Sequence, residues 1–249
     1  MSKIITLCGS KQSGKSSAAK FLTGYFMQRA GNLKKFEIDD DGNLIVNTKY
    51  INAEGQEIEG MGIMDIYRMD SDFIRYAINN IWPNAKVYSF AFRLKQTLEI
   101  VFGIPHENLY GTEEQKNELS HLKWEDMPDK PNKKGQMSYR QVAQHYGTEI
   151  CRKMMDDCWI QACYADILAE DFPIAIIDDC RFPNEAKFMK DKGAKLIKLT
   201  KKIDFDKHES EVAMNELPDS FFDAVIDNTD LTIGQKNEKL LEAILKWGY

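Results

Sequence analysis

The stretch Gly9-Ser-Lys-Gln-Ser-Gly14-Lys15-Ser16 follows directly on the apolar run Ile4-Ile-Thr-Leu-Cys8, and it constrains the fold more than any other feature. Its spacing is G-x-x-x-x-G-K-[ST], a phosphate-binding loop set between a strand and a helix. Glycines let the backbone curl until successive N–H groups converge on one spot, and the N-terminus of the next helix adds the positive end of its dipole. In such a loop the lysine, here Lys15, offsets charge on the β- and γ-phosphates, and the hydroxyl after it, Ser16, is placed to ligate Mg2+. Ser17-Ala-Ala-Lys-Phe-Leu continues with helical spacing. Gly9, Ser13, Gly14, Lys15, Ser16 and Ser17 are the candidate contacts to nucleotide phosphates.

The rest of the chain alternates strand and helix signals, the signature of a parallel sheet with crossover helices. Five runs read as core strands: Ile4–Cys8, Lys86–Ser89, Ile174–Ile177, Lys195–Leu199 and Ala224–Ile226. Helices are expected from Ser16 to about Ala30 and over Phe73–Ile81, where apolar residues share one face. Another carries Leu94, Leu98, Val101 and Phe102 and stops at Gly103. Ser138 caps one running to Gly147, and Glu149–Ala169 reads as a single long helix. Asn184–Lys192 and Asn237–Trp247 complete the set.

Two stretches break the rhythm. Residues 32–62 carry a hairpin signature, Phe36-Glu-Ile38 and Leu44-Ile-Val46 around a Gly-containing turn, which predicts a small β insertion. The acidic run Asp39–Asp41 in that turn lacks the rest of a calcium pattern and reads as solvated. Residues 105–136 are polar and rich in Lys and Pro. They are too long for a passive connection and read as a lid or as a simple exposed loop.

Bulk properties fit a single α/β domain spanning residues 1–249 with that insertion and lid. A hydrophobic content of 43% supports a core, and a net charge of −6 weighs against a nucleic-acid-coating surface. Cys8, Cys151, Cys158, Cys163 and Cys180 form no C-x-x-C pair and read as reduced thiols of a cytoplasmic protein. Neither a long apolar span nor a leader pattern is present, so no membrane partner is expected.

A second constellation is Ile174-Ala-Ile-Ile-Asp178-Asp179-Cys-Arg181-Phe-Pro-Asn-Glu185. Carboxylates at the C-terminal tip of a buried strand lie where open α/β sheets bind ligands. Asp178 or Asp179 could hold Mg2+ through water or orient the attacking oxygen, and Arg181 could clamp a phosphate bidentately. The same Asp-Asp pattern also occurs as a helix cap. A third constellation, Arg140-Gln-Val-Ala-Gln144-His-Tyr-Gly147-Thr148-Glu149-Ile-Cys-Arg152, sets Arg140 and Gln144 four apart on one helix face. They could read a phosphate and a base edge, although from spacing alone an exposed amphipathic helix is the simpler account.

Taken together, these blocks resemble the phage deoxynucleoside monophosphate kinases of the P-loop nucleotide-kinase superfamily. The likeness is carried, in order, by Gly9–Ser17, Tyr88-Ser-Phe-Ala-Phe-Arg-Leu94-Lys95, Arg140–Arg152 followed by Trp159, Asp178–Glu185, His208-Glu-Ser210-Glu211 and Val225-Ile-Asp-Asn228. The resemblance implies a three-layer fold with a central five-stranded parallel sheet, flanked by helices, whose loop-bearing strand is in the middle. It implies transfer of the ATP γ-phosphate, with Mg2+, to a deoxynucleoside monophosphate for DNA precursor synthesis. By matching position, Lys11, Lys95, Arg140 and Arg181 would grip acceptor or transferring phosphates. Leu94, Gln144, Gly147, Thr148 and Trp159 would line the acceptor pocket. Lys15, Arg181 and Asp179 would be the catalytic set, and Ser16 and Asp178 the metal ligands. His208 and Glu211 would cap a lid or face the acceptor. The remaining readings are a kinase for another acceptor (a hydroxymethylated base in DNA, or a coenzyme precursor) and a nucleotide-gated switch or binding protein. A phage enzyme would work in the host cytoplasm, and the sequence leaves a homodimer open.

Overall fold

The computed structural model describes residues 2–51, 54–127, 132–201 and 214–249. Five strands form one parallel sheet: β1 (Lys3–Cys8), β5 (Lys86–Tyr88), β8 (Ile174–Cys180), β9 (Lys195–Thr200) and β10 (Ala224–Asp227), in the order β10-β9-β1-β8-β5. All four pairings are parallel. The central strands β1, β8 and β9 are buried along nearly their whole length, which is why they read as mostly apolar runs rather than alternating ones. The loop-bearing β1 occupies the centre, as expected.

The chain divides into two compact units, Met1–Ser89 with Asp166–Tyr249, and Phe90–Ala165. In the first, α1 (Lys15–Arg29) and α9 (Ile233–Lys246) share a core with the sheet. Ile5, Leu7, Leu22, Phe26, Ile176, Leu199, Leu240 and Ile244 pack together there. α8 (Pro183–Asp191) begins on Pro183, whose fixed φ and missing N–H suit a first helical position. The insertion proves larger than a hairpin. β2 (Phe36–Ile38), β3 (Leu44–Ile51) and β4 (Glu57–Ile63) form a three-stranded antiparallel sheet. It encloses its own core with α1 and α2 (Ser71–Asn80), built from Met27, Leu44, Val46, Phe73, Ala77 and Ile81. β4 was hidden because its half-buried face carries Ile58, Gly60 and Gly62 while Met61 and Ile63 stand exposed beside Glu57 and Glu59, so it lacks the apolar-in, polar-out alternation of a strand. The acidic turn is closed by Asp39, whose carboxylate accepts the backbone N–H of Asn43 at 2.6 Å.

The second unit holds α3 (Ala91–Phe102), α4 (His106–Tyr110), α5 (Glu113–Asn117), β6 (Leu119–Lys123), β7 (Gln136–Ser138) and α6 (Tyr139–Gln144). The Lys/Pro-rich stretch thus carries secondary structure over much of its length. Leu109, Trp124 and Met137 bury themselves against Leu98, Ile104 and Val142. Those anchors lie too far apart in sequence to show any periodicity. Ser138 caps α6 through a reciprocal pair with Gln141. The long helix expected over Glu149–Ala169 does not form as one piece. α6 opens into π-helical turns over His145–Arg152, and α7 (Cys158–Glu170) starts afresh after a break. Asp156 and Asp157, poor helix formers, stand at the break, and Asp157 accepts the side-chain amide of Gln161 at 2.6 Å.

Candidate active site

The loop after β1 has backbone geometry that few residues tolerate. Gly9 (φ 148°) leaves no room for a side chain, since a Cβ there would lie 2.2 Å from the Leu199 carbonyl oxygen. Gln12 (φ 63°) and Gly14 (φ 92°) are left-handed, and Gly14 is the residue from which α1 departs. Lys15 is only 6% exposed. Its ammonium donates to the carbonyl oxygen of Gly9 at 2.8 Å, to that of Ser10, and to the Ser13 hydroxyl at 3.4 Å. Burial, reinforced by the Arg181 guanidinium, lowers its pKa to about 8, while Asp179 and Asp178 pull in the opposite direction.

The carboxylates come from the end of β8, where the register slips. Thr6 faces Ile177 and Cys8 faces Cys180, so β8 takes three steps while β1 takes two. That extra residue is a bulge at Asp178-Asp179, a device that re-aims side chains at a strand end. Asp178 accepts the Tyr67 hydroxyl at 2.5 Å, and Asp179 accepts the Ser89 hydroxyl at 2.6 Å. Tyr67 also hydrogen-bonds Ser16, so one phenol links the loop to the strand end. Burial and the neighbouring Asp178 hold that phenol well above its usual pKa. Arg181 is fixed through its backbone. The buried Glu185 carboxylate accepts the N–H groups of Arg181 and Phe182 at 2.8 and 3.0 Å, capping α8.

The loop residues, Lys11, Asp178, Asp179 and Arg181 therefore all belong to the first unit. Leu94, Lys95, Arg140, Gln144, Gly147, Thr148 and Trp159 belong to the second. There, Arg140 pairs with Glu113 at 2.7 Å and donates to Asn117 at 3.3 Å. Lys95 lies over the Tyr110 ring at 4.4 Å. Gln144 and Thr148 are exposed. Gly147 sits in the π-helical turns against Leu94, where a Cβ would come 2.8 Å from Leu94 Cδ2, and its carbonyl accepts the Trp159 indole N–H at 3.1 Å. His208 and Glu211 lie outside the described residues. Sequence reading missed Tyr67, Ser89 and Lys236, the last hydrogen-bonded to Ser17 at 2.6 Å. Tyr67 and Lys236 meet the site from far along the chain with no local motif to mark them, and Ser89, though inside the Tyr88–Lys95 block, meets Asp179 from 90 positions away.

Parallel sheets bind ligands beyond the carboxyl ends of their strands. The groups collected there, a glycine-bearing loop with Lys15, Asp178, Asp179 and Arg181, on a five-stranded parallel sheet, give the chain the fold of the P-loop nucleotide kinases. The chain belongs to the deoxynucleotide monophosphate kinase family, whose profile matches residues 3–238. It is also 29% identical over 154 residues to a protein of Acanthamoeba polyphaga mimivirus that carries the same kinase name provisionally; the match covers 56% of this chain and 73% of that protein. The activity is accordingly that of a phosphotransferase acting on deoxynucleoside monophosphates. No helix among the described residues is long and apolar enough to cross a membrane.

Proposed function

We propose that the chain moves the γ-phosphoryl group of ATP onto a deoxynucleoside 5′-monophosphate, with the loop and β8 residues serving the donor and the second unit serving the acceptor. The observation that carries this reading is the meeting of Lys15, Arg181 and the bulged Asp178-Asp179 pair, two cations and two carboxylates around one phosphate-binding loop. Backbone N–H groups of Gly14–Ser17 cradle the donor phosphates, and Lys15 and Arg181 offset charge on the transferring group. A monophosphate oxygen is already a nucleophile, so Asp179 orients the acceptor or a water rather than acting as an obligatory base. Ser16 and Asp178 offer hard oxygen donors bridged by the single Tyr67 hydroxyl, a donor set that suits Mg2+. When bound, that ion neutralises β/γ-phosphate charge.

Incubating the protein with ATP-Mg2+ and each deoxynucleoside monophosphate in turn tests the reading. The expected product is a deoxynucleoside diphosphate with at least one of them. Lys15→Ala should lower turnover by about a hundredfold or more, as loss of one preorganised charge contact does. ATP turnover that needs no acceptor would instead establish a nucleotide-gated switch.

A further inference from the structure

Lys236 is 1% exposed, the largest fully buried side chain of the described residues, and it is a cation. Its ammonium carries three donors. Among the described residues one acceptor meets it, the Ser17 hydroxyl at 2.6 Å, and no carboxylate is paired with it. Among the described residues its named neighbours are positive or neutral. Lys236 lies in the first turn of α9, the positive end of that helix dipole, where a cation is disfavoured. Its Nζ stands 3.8 Å from where a Cβ of Gly14 would be, at the positive end of α1. Burial, with Lys201 nearby, lowers its pKa to about 8. A buried ammonium without a counter-charge costs several kcal/mol unless an anion completes it. The segment that delivers Lys236 is also tied to the loop, since Asn228 donates its side-chain amide to the Ser13 carbonyl at 3.2 Å.

We propose that Lys236 is a second donor-site lysine, whose counter-ion is the phosphate of the donor nucleotide nearest the sugar. Lys15 serves the β- and γ-phosphates, and the N–H groups at the start of α1 cradle the α- and β-phosphates. Ser17, two residues into α1, marks the α end, and Lys236 reaches the site through it. The cation is then complemented when nucleotide is bound. This inference rests on the donor reading given above.

The test is calorimetric titration of ATP and of ADP into the parent, Lys236→Met and Lys236→Gln. Methionine keeps the stem and removes the charge; glutamine keeps a donor to Ser17. Loss of one charge-assisted contact should weaken both nucleotides by about tenfold or more in each variant. ADP matters because it lacks the γ-phosphate yet retains the α. Binding of the acceptor monophosphate should stay as in the parent. Parent-like ADP affinity in either folded variant would overturn the inference and leave Lys236 a structural lysine. A parent that binds no ATP, or binds it undiminished in Lys15→Ala, would instead overturn the donor reading itself.

Discussion

Arg181 shows how a single residue is prepared for its task. Its backbone is fixed by the buried Glu185 carboxylate rather than by its own side chain. Burial, and after it the guanidinium, lower the Lys15 pKa to about 8. On the proposed reading, a phosphate bound at the loop would relieve the repulsion between these two cations. A planar fork can follow charge onto a transferring group through two parallel bonds, and an ammonium cannot. Arg181→Lys should therefore lower kcat by about tenfold or more while binding of either nucleotide changes little. Steady-state kinetics with direct titration of both ligands measures this, and parent-like turnover would make Arg181 structural. Lys15 and Arg181 were legible in the sequence because a motif of a few residues specifies each. Tyr67 was not, because its partner Asp178 lies 111 positions away and only the folded chain brings the two together.

The five core strands were legible as short apolar runs, most plainly the three central ones, because a strand buried on both faces must be largely apolar. The insertion was only half legible, since its third strand carries glycine and glutamate. What seats the insertion is Gly24, in the middle of α1. A Cβ there would lie 2.5 Å from Phe36 Cδ2 and 2.9 Å from Leu44 Cδ1. Helix propensity alone says that Gly24→Ala should stabilise α1 by about 1 kcal/mol. Overpacking against β2 and β3 costs about 1–3 kcal/mol and should win. The expected result is a melting temperature lower by about 2–4 °C per kcal/mol lost; a rise would show that the insertion yields freely. At the opposite edge, Asp223 ties β9 to the start of β10. Its carboxylate accepts the Leu196 N–H at 3.0 Å and the Lys195 ammonium at 2.8 Å. Burial pushes its pKa up, but those two bonds outweigh it and leave the carboxyl below its ordinary value. A carboxyl depressed in the folded state adds stability above its unfolded pKa of 3.8, and loses it as pH falls through the lower, folded value. Asp223→Asn should cost about 1 kcal/mol at neutral pH. In denaturant titrations across the acid range, the gap between parent and variant should close below pH 4; a constant gap would remove the charge from the account.

For the whole molecule, the proposed division of labour would follow the division of the chain into two units. Every donor-side candidate lies in the unit that contains the parallel sheet, together with Lys11, Asp179 and Arg181, and the acceptor-pocket candidates Leu94, Lys95, Arg140, Gln144, Gly147, Thr148 and Trp159 lie in Phe90–Ala165. Periodicity could not reveal this, because the boundaries fall between Ser89 and Phe90 and inside α7, where no linker composition marks them. The division predicts that damage to one ligand's site spares the other. Arg140 is the sharpest probe, since it already has partners in Glu113 and Asn117. Its side chain is 29% exposed and that of Glu113 is 58% exposed. An ion pair so open to water contributes about 0–1 kcal/mol, so exchanging it for a phosphate costs little. Arg140→Ala should raise the apparent KM for the monophosphate by about tenfold or more and leave ATP affinity as it was. Glu113→Gln removes the competing carboxylate and should lower that KM or leave it unchanged, never raise it. If the Arg140–Glu113 pair is instead a brace between α5 and α6, both substitutions should lower the melting temperature alike, with KM unmoved. If Arg140→Ala weakens ATP, the residue serves the donor and the two units do not divide the ligands between them.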